Sequence, residues 1–339
     1  MKYNQSLGPL NMSEQLGDCK ILVTGGAGFI GSNLCERFID SGAVVVCLDN
    51  FITGRRENIS HLLENENFTL IEGDITDIDT CRKAIEGCNF VSHQAALGSI
   101  PRSIDNPIRT NNINVGGTLN IFVSAMEAGV KRVVYASSSS VYGDEKTLPK
   151  NEQKTGSPLS PYAITKTVNE MYASVFSQIH GFAVIGLRYF NVFGRRQDPE
   201  GVYAAVIPKF VESLINKKSP TIHGDGEQTR DFTYIENVVQ MNVRAMLTEN
   251  SDCFGKCFNV AYGSRMSINE LYFGIRDLLA QFDPEIKKID PKYIEERAGD
   301  IKHSIADISM AKDLLGYDPE YNCNQGLHEA IEWYWNALS

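Results

Sequence analysis

Ile21-Leu22-Val23-Thr24-Gly25-Gly26-Ala27-Gly28-Phe29-Ile30-Gly31 passes from an apolar run through a glycine-rich turn into a helix-like segment, Phe29–Asp40. It holds both G-x-G-x-x-G spacing (26, 28, 31) and G-x-x-G-x-x-G spacing (25, 28, 31). Glycines permit a tight turn and let a pyrophosphate approach backbone N–H groups, which the following helix N-terminus then stabilises. In isolation such a spacing is often a plain turn. Here an apolar strand precedes it and a helical run follows, which is the setting a dinucleotide cradle requires. Asp49 ends the next apolar run, eighteen positions after Gly31, near the spacing of a carboxylate that binds the adenosine ribose. A carboxylate there repels a 2′-phosphate, so NAD is expected rather than NADP. Arg55 and Arg56 are the features that would favour NADP.

Outward from this turn, short β-branched runs alternate with helix-like segments. The expected strands are Lys20–Thr24, Val44–Leu48, Thr69–Glu72, Phe90–Ser92, Val133–Ala136 and Ala183–Arg188. Their near-continuous apolar character marks strands buried on both faces, as in a parallel sheet covered by helices. The alternation predicts an α/β fold, a doubly wound parallel Rossmann sheet. A later pair, Ile235–Leu247 then Cys257–Ala261, reads as its last helix–strand unit. The NAD-binding domain is therefore expected over 19–191 plus 231–262, with a smaller, discontinuous C-terminal substrate-binding lobe over 192–230 plus 263–339. Residues 1–18 read as an N-terminal extension. The Trp333-Tyr334-Trp335 cluster reads as core packing of a final helix.

The bulk numbers bound the function. With 32 basic against 42 acidic residues in 339, net charge is -10, which argues against a generic nucleic-acid surface while leaving room for local arginines to hold an anion. The eight cysteines are scattered, and only Cys253 and Cys257 are close together, so neither a zinc set nor a disulfide framework is expected. Unpaired thiols suit a reducing cytoplasm. No apolar run approaches a membrane span, and the polar N-terminus does not read as a signal peptide. A cytoplasmic protein with no membrane, nucleic-acid or metal partner is expected.

The second informative region is Ser137-Ser138-Ser139-Ser140, directly after an apolar run, followed by Tyr162-Ala163-Ile164-Thr165-Lys166. Residues four apart share a helix face. There a lysine ammonium can lower a phenol pKa and make tyrosine a usable base. Moving a phenol from about 10 to near 7 takes about 4 kcal/mol of differential stabilisation. Tyr-x-x-x-Lys alone is common on exposed helices, and a serine run alone is usually a polar loop. Together, and at the carboxyl edge of a predicted sheet, they read as hydride chemistry on a hydroxyl.

From about Lys20 onward the chain resembles the extended short-chain dehydrogenase/reductase family and, within it, the nucleotide-sugar 4-epimerases. The matching stretches are Thr24–Gly31, Leu48-Asp49-Asn50, Glu72-Gly73-Asp74-Ile75, Ser137–Gly143, Pro161–Lys166, Arg188–Gly194 and Arg297-Ala298-Gly299-Asp300. Gln94-Ala95-Ala96-Leu97-Gly98-Ser99 and Gly194-Arg195-Arg196-Gln197-Asp198-Pro199 resemble the members that act on UDP-N-acetylglucosamine. The resemblance implies Tyr162 as general base, Lys166 as the residue that holds the nicotinamide ribose, and Ser138 as hydrogen-bond partner of the reacting oxygen. It implies cofactor contacts from Gly25, Gly28, Phe29, Ile30, Gly31, Asp49, Asn50, Asp74, Ile75, Gln94, Ala95, Ala96 and Tyr189. Asn191 and Arg230 are similar to diphosphate ligands, Arg297 to a further phosphate or uridine ligand, and Asp300 to one that holds the uridine ribose. Paired arginine forks suit a pyrophosphate. His223 and Thr221 stand where close relatives often carry asparagine and tyrosine.

Substrate choice within the family is also a matter of resemblance. Epimerases restricted to glucose and galactose carry a bulky tyrosine four residues after the motif's aspartate, where this chain has Ser304. Gly98 replaces a lysine of such relatives, and Ser99 and Ser139 are candidate polar contacts. Dehydratases and decarboxylases of the family place acidic residues just after the catalytic serine or threonine; Ser139 and Ser140 cannot do that work. The implied activity is NAD-dependent C4 epimerisation of UDP-N-acetylglucosamine and UDP-N-acetylgalactosamine, through a transient 4-keto sugar. UDP-glucose/UDP-galactose and UDP-uronate epimerisation are the alternatives, and a non-enzymatic NAD-binding scaffold is disfavoured by the intact Ser-Tyr-Lys set. The resemblance further implies a homodimer formed through about Val115–Glu127 and Tyr162–Ile179.

Overall fold

A computed structural model of the chain describes residues 16–198, 205–296 and 302–339. The apolar runs form one parallel sheet: β1 (Lys20–Thr24), β2 (Val44–Asp49), β3 (Phe68–Glu72), β4 (Phe90–His93), β5 (Arg132–Ser138), β6 (Val184–Tyr189) and β7 (Cys257–Val260), in the spatial order β7-β6-β5-β4-β1-β2-β3. Ile21 lies opposite both Val45 and Phe90, Val133 opposite Val184, and Cys257 opposite Gly186. The strand ends differ from the expected ones by a residue or two. One difference matters: β5 continues to Ser138 and carries that hydroxyl to the carboxyl edge.

Alternate side chains of a strand leave opposite faces of the sheet, so both faces need cover. Ile21, Val23, Val45, Cys47, Ile185 and Leu187 pack toward helices α1 (Phe29–Asp40) and α6 (Ile235–Leu247). Leu22, Val46, Leu48, Val133 and Tyr135 face α2 (Ile78–Ile85), α3 (Thr118–Glu127) and α4 (Pro161–His180). Phe122 of α3 meets Tyr135 and Phe176 edge-on at 5.4 and 5.7 Å. The first core runs on without a break beneath α5 (Val206–Ile215), α7 (Ile268–Leu279) and α8 (Cys323–Leu338), where Phe210 meets Tyr272 edge-on. Tyr334 is buried and Trp335 stacks on Phe282 at 5.0 Å, so the C-terminal aromatics are packing residues.

Short strand pairs join this region together: Thr221–His223 with Lys292–Ile294, Thr229–Arg230 with Met266–Ser267, and Val192–Phe193 with Thr233–Tyr234. Asp231 lies fully buried at their centre. Its carboxylate accepts backbone N–H bonds from Tyr262, Gly263 and Ala306. Burial pushes its pKa up to about 7 against the pull of those N–H groups. All eight cysteines are free thiols. Among the described residues no helix is long and apolar enough to cross a membrane. Strands β1 and β4 are adjacent and their following connections leave in opposite directions, which opens a crevice at the carboxyl edge.

Candidate active site

That crevice holds a cleft of about 380 Å³. The glycine turn forms one wall. Gly25 has φ +66, and a Cβ there would lie 2.8 Å from Ala95 Cα; at Gly31 it would lie 2.1 Å from Gly25 O. Neither position has space for a side chain, so glycine lets the turn pack backbone to backbone against Ala95 and against the start of α1, the compact strand-to-helix turn that a dinucleotide cradle uses. Gly28, Phe29, Ile30, Asn50, Gln94, Ala95 and Ala96 also line the cleft. Asp49 reaches it while accepting N–H bonds from Ala27 (2.9 Å) and Phe51 (2.8 Å); burial raises its pKa against those bonds. Arg55 and Arg56, the residues that would have favoured a 2′-phosphate, are engaged by Asp198 at 2.7 Å and by Glu72.

Asp74, expected at the adenine, is engaged within the protein. Its carboxylate accepts from Asn50 Nδ2 (2.8 Å) and from the Thr76 backbone and hydroxyl (both 2.8 Å), and its side chain does not line the cleft. Burial alone would raise its pKa, but these bonds outweigh it and the pKa falls. Ile75 is the residue that faces the cleft. Gln94 and Tyr189 form a triangle with buried Asn242: Tyr189 OH to Gln94 Oε1 is 3.0 Å, and Gln94 Nε2 to Asn242 Oδ1 is 3.2 Å. Spacing gave no sign of Thr53 or Ile113, which also line the cleft.

Helix α4 delivers the tyrosine and lysine. Ser160 caps it by accepting from Ala163 N (3.1 Å), Pro161 opens it, and Gly181 at φ +62 closes it. The Tyr162 N–H donates to Ser103 Oγ at 3.1 Å, which locks the helix start to the segment beyond Gly98. The Tyr162 and Ser138 hydroxyls face the same cleft. Burial raises the Tyr162 pKa, and the nearby Ser138 hydroxyl pulls against it. Lys166, expected to lower it, donates its ammonium to Ala136 O at 2.7 Å and stands 5.8 Å from the ring centroid. Burial pushes the Lys166 pKa down to about 8. Ser138 also caps the following turn by accepting from Ser140 N (3.2 Å).

Gly98 lines the same cleft, and no heavy atom lies within 4 Å of where its Cβ would stand. Ser99, at φ +95, caps the short helix Ile100–Asp105 and does not line the cleft, nor does Ser139. Two residues beyond Tyr189, Asn191 enters a second cleft of about 600 Å³, shared with Arg230, Thr221, His223, Gln228 and Phe232. The last two carried no signal in the sequence. Ser304 lines neither cleft; its N–H donates to Thr229 O at 3.1 Å, beside Arg230. Arg297 and Asp300 lie outside the described residues.

A glycine cradle, a ribose-side carboxylate and a Ser-Tyr-Lys set at one sheet edge can bind a dinucleotide and move a proton on a hydroxyl beside it. A family model for the NAD dependent epimerase/dehydratase family matches residues 21–261. The chain belongs to that family. NAD is its cofactor, and a solved relative, the UDP-glucuronic acid 4-epimerase of Bacillus cereus in complex with UDP-glucuronic acid and NAD, is 31% identical with a TM-score of 0.83 over 94% of this chain and 99% of that one. The UDP-N-acetylglucosamine 4-epimerase of Methanobrevibacter ruminantium M1, in complex with UDP-N-acetylmuramic acid, is 40% identical with a TM-score of 0.86, covering 94% and 99%. A putative UDP-glucose 4-epimerase of Methanocaldococcus jannaschii is 36% identical over 93% of this chain and 98% of its own length. Within this epimerase/dehydratase family the glycine turn and Asp49 are the features that fit NAD here.

Proposed function

We propose that the protein interconverts UDP-N-acetylglucosamine and UDP-N-acetylgalactosamine. The observation that carries this reading is the unfilled space beside Gly98, in the cleft that also holds Tyr162 and Ser138, where an acetamido group has room. The likeness to a UDP-N-acetylglucosamine 4-epimerase supports it. The relatives named for glucose and glucuronate favour a second reading, a UDP-hexose or UDP-uronate 4-epimerase, over the same chemistry.

In this proposal NAD, when bound, supplies a hydride acceptor carrying positive charge. Tyr162 takes the proton from the sugar 4-hydroxyl and returns it after the 4-keto sugar has turned. Ser138, which lines the same cleft as Tyr162, holds the reacting oxygen. Lys166, fixed by the Ala136 carbonyl, keeps a positive charge next to the phenol and meets the nicotinamide ribose. Asn191 and Arg230 hold the diphosphate from the second cleft, with Arg297 and Asp300 toward the uridine. The dinucleotide side is assigned to 19–191 plus 231–262 and the UDP-sugar lobe to 192–230 plus 263–339. Ser139 and Ser140 bring no acid or base for elimination, which separates epimerisation from dehydration.

The test is incubation of the purified protein with UDP-glucose, UDP-galactose and their N-acetylamino forms, with products resolved by NMR. The proposal expects the acetylated pair to interconvert fastest. Faster turnover of the plain hexoses would instead establish the second reading. Ser304 lies beside Arg230 of the second cleft, so Ser304→Tyr should depress the acetylated pair selectively; an unchanged rate would mean that Ser304 does not limit sugar size.

A further inference from the structure

The segment Gly194-Arg195-Arg196-Gln197-Asp198 takes no part in the chemistry above, yet its side chains reach the cofactor side of the fold. Gly194, at φ +142, turns the chain where a Cβ would lie 2.5 Å from Ile235, and its N–H donates to the buried Tyr334 hydroxyl. Gln197 donates to Val192 O at 2.9 Å and accepts from that same hydroxyl. The turn is thereby fixed from below. Arg196, at φ +69 with a side chain only 11% exposed, ion-pairs with Glu36 of α1 at 2.9 Å and meets His61 Nε2 at 3.4 Å. Glu36 also holds Arg195 at 2.5 Å and His61 at 3.2 Å. Asp198 takes the Arg55 guanidinium at 2.7 Å.

Arg55 is gripped at its other end by the glycine turn itself. Its N–H donates to Ala27 O at 3.0 Å, and Asn58 Nδ2 donates to the same carbonyl at 2.9 Å. The loop from Asn50 to Asn58 therefore crosses the mouth of the cleft, where Ile52 and Thr53 line it, with Arg55 tied directly to Asp198 and the loop's continuation tied at His61 to Arg196 and Glu36. We propose that Arg196 and Asp198 are positioning residues that hold this loop closed over the glycine turn and so set how long the dinucleotide stays bound. An enzyme that regenerates its cofactor every cycle gains from slow release. This rests on the dinucleotide reading of the first cleft and is independent of which sugar the enzyme uses.

The Arg55–Asp198 pair is about two-fifths exposed on each side and is weak alone. The Arg196–Glu36 pair is far more enclosed, so it should carry the larger effect. The experiment uses the full chain as Arg196→Met, Asp198→Asn and the charge swap Arg55→Asp/Asp198→Arg. NAD retained through repeated desalting is measured, together with the dissociation constant of NAD from stripped protein, kcat at saturating NAD, and the melting midpoint of the stripped form. Arg196→Met should weaken NAD binding about tenfold and Asp198→Asn about threefold, with kcat at saturating NAD and the stripped melting midpoint close to wild type. The swap should restore retention lost in Asp198→Asn. Added salt should speed NAD release from wild type more than from Asp198→Asn, a readout that holds even if Arg196→Met does not fold. NAD retention unchanged in Asp198→Asn with no difference in salt response, or a loss of kcat equal to the loss of affinity, would overturn the proposal.

Discussion

Tyr162 and Lys166 were legible at four-residue spacing because helix geometry puts them on one face, and the serine run because it follows an apolar run, with Ser138 picked out within it only by the family resemblance. Their protonation was not legible. Spacing contains no burial, and burial is what raises Tyr162 and lowers Lys166 to about 8. Nor did spacing reveal that the lysine is held by Ala136 O. Tyr162→Phe keeps the ring volume and removes the proton acceptor, so kcat should fall on the order of 10² to 10⁴ while extracted NAD content stays at the wild-type level. A near wild-type rate would mean another group is the base. Lys166→Met should abolish turnover and also lower the NAD content measured after extraction.

At the scale of elements, the glycine turn was read correctly from its spacing and its flanks, whereas the connection before α3 was not. An expected helix from Val115 instead begins with a π-helical turn, Asn112–Gly117, in which Asn114 bonds the Leu97 backbone from both sides at 2.8 and 3.1 Å. Tertiary partners decide such a turn, and a helical periodicity does not show them. Gly31→Ala would press a methyl group against Gly25 O, so the variant should purify with most of its NAD lost, read by extraction and chromatography. His93 gives a second prediction. It lies between the Thr24 and Thr118 hydroxyls at 2.7 and 2.9 Å, joining β1, β4 and α3, and burial first, with the charge of Lys166, lowers its pKa to about 3. The folded protein then keeps this imidazole neutral while the unfolded chain protonates it below about 6.5. Its contribution to stability is complete above that pH and is lost as pH falls toward 3, by about 1.4 kcal/mol per pH unit. Urea unfolding of wild type between pH 7 and 5 should show this slope, and His93→Asn, though less stable at pH 7, should show a shallower one.

For the whole molecule, alternating apolar runs announced the doubly wound sheet, but the order of strands follows from right-handed crossovers that no single run displays. The single core continuing from α1 and α6 to α8 was equally hidden, since it is made by residues more than two hundred positions apart. Surface apolar residues are likewise visible only in three dimensions. Ile164, Met171, Val175 and Ile179 form an exposed stripe along α4, and Ile104 and Ile108 lie exposed on the short helices that pack beside it. Of the two segments expected in the homodimer contact, Tyr162–Ile179 carries this stripe while Val115–Glu127 has no exposed large apolar side chain. We propose the α4 face as the homodimer contact, with Met171→Asp/Val175→Asp expected to yield a monomer by light scattering.

The central claim is that hydrogen removed from C4 of the sugar returns to the same carbon with no net redox change. UDP-N-acetylglucosamine carrying deuterium at C4 should be converted by purified protein, with no cofactor added, into UDP-N-acetylgalactosamine that retains the deuterium at C4, while total bound NAD stays constant. Loss of the label to solvent, or consumption of cofactor in proportion to product, would contradict it.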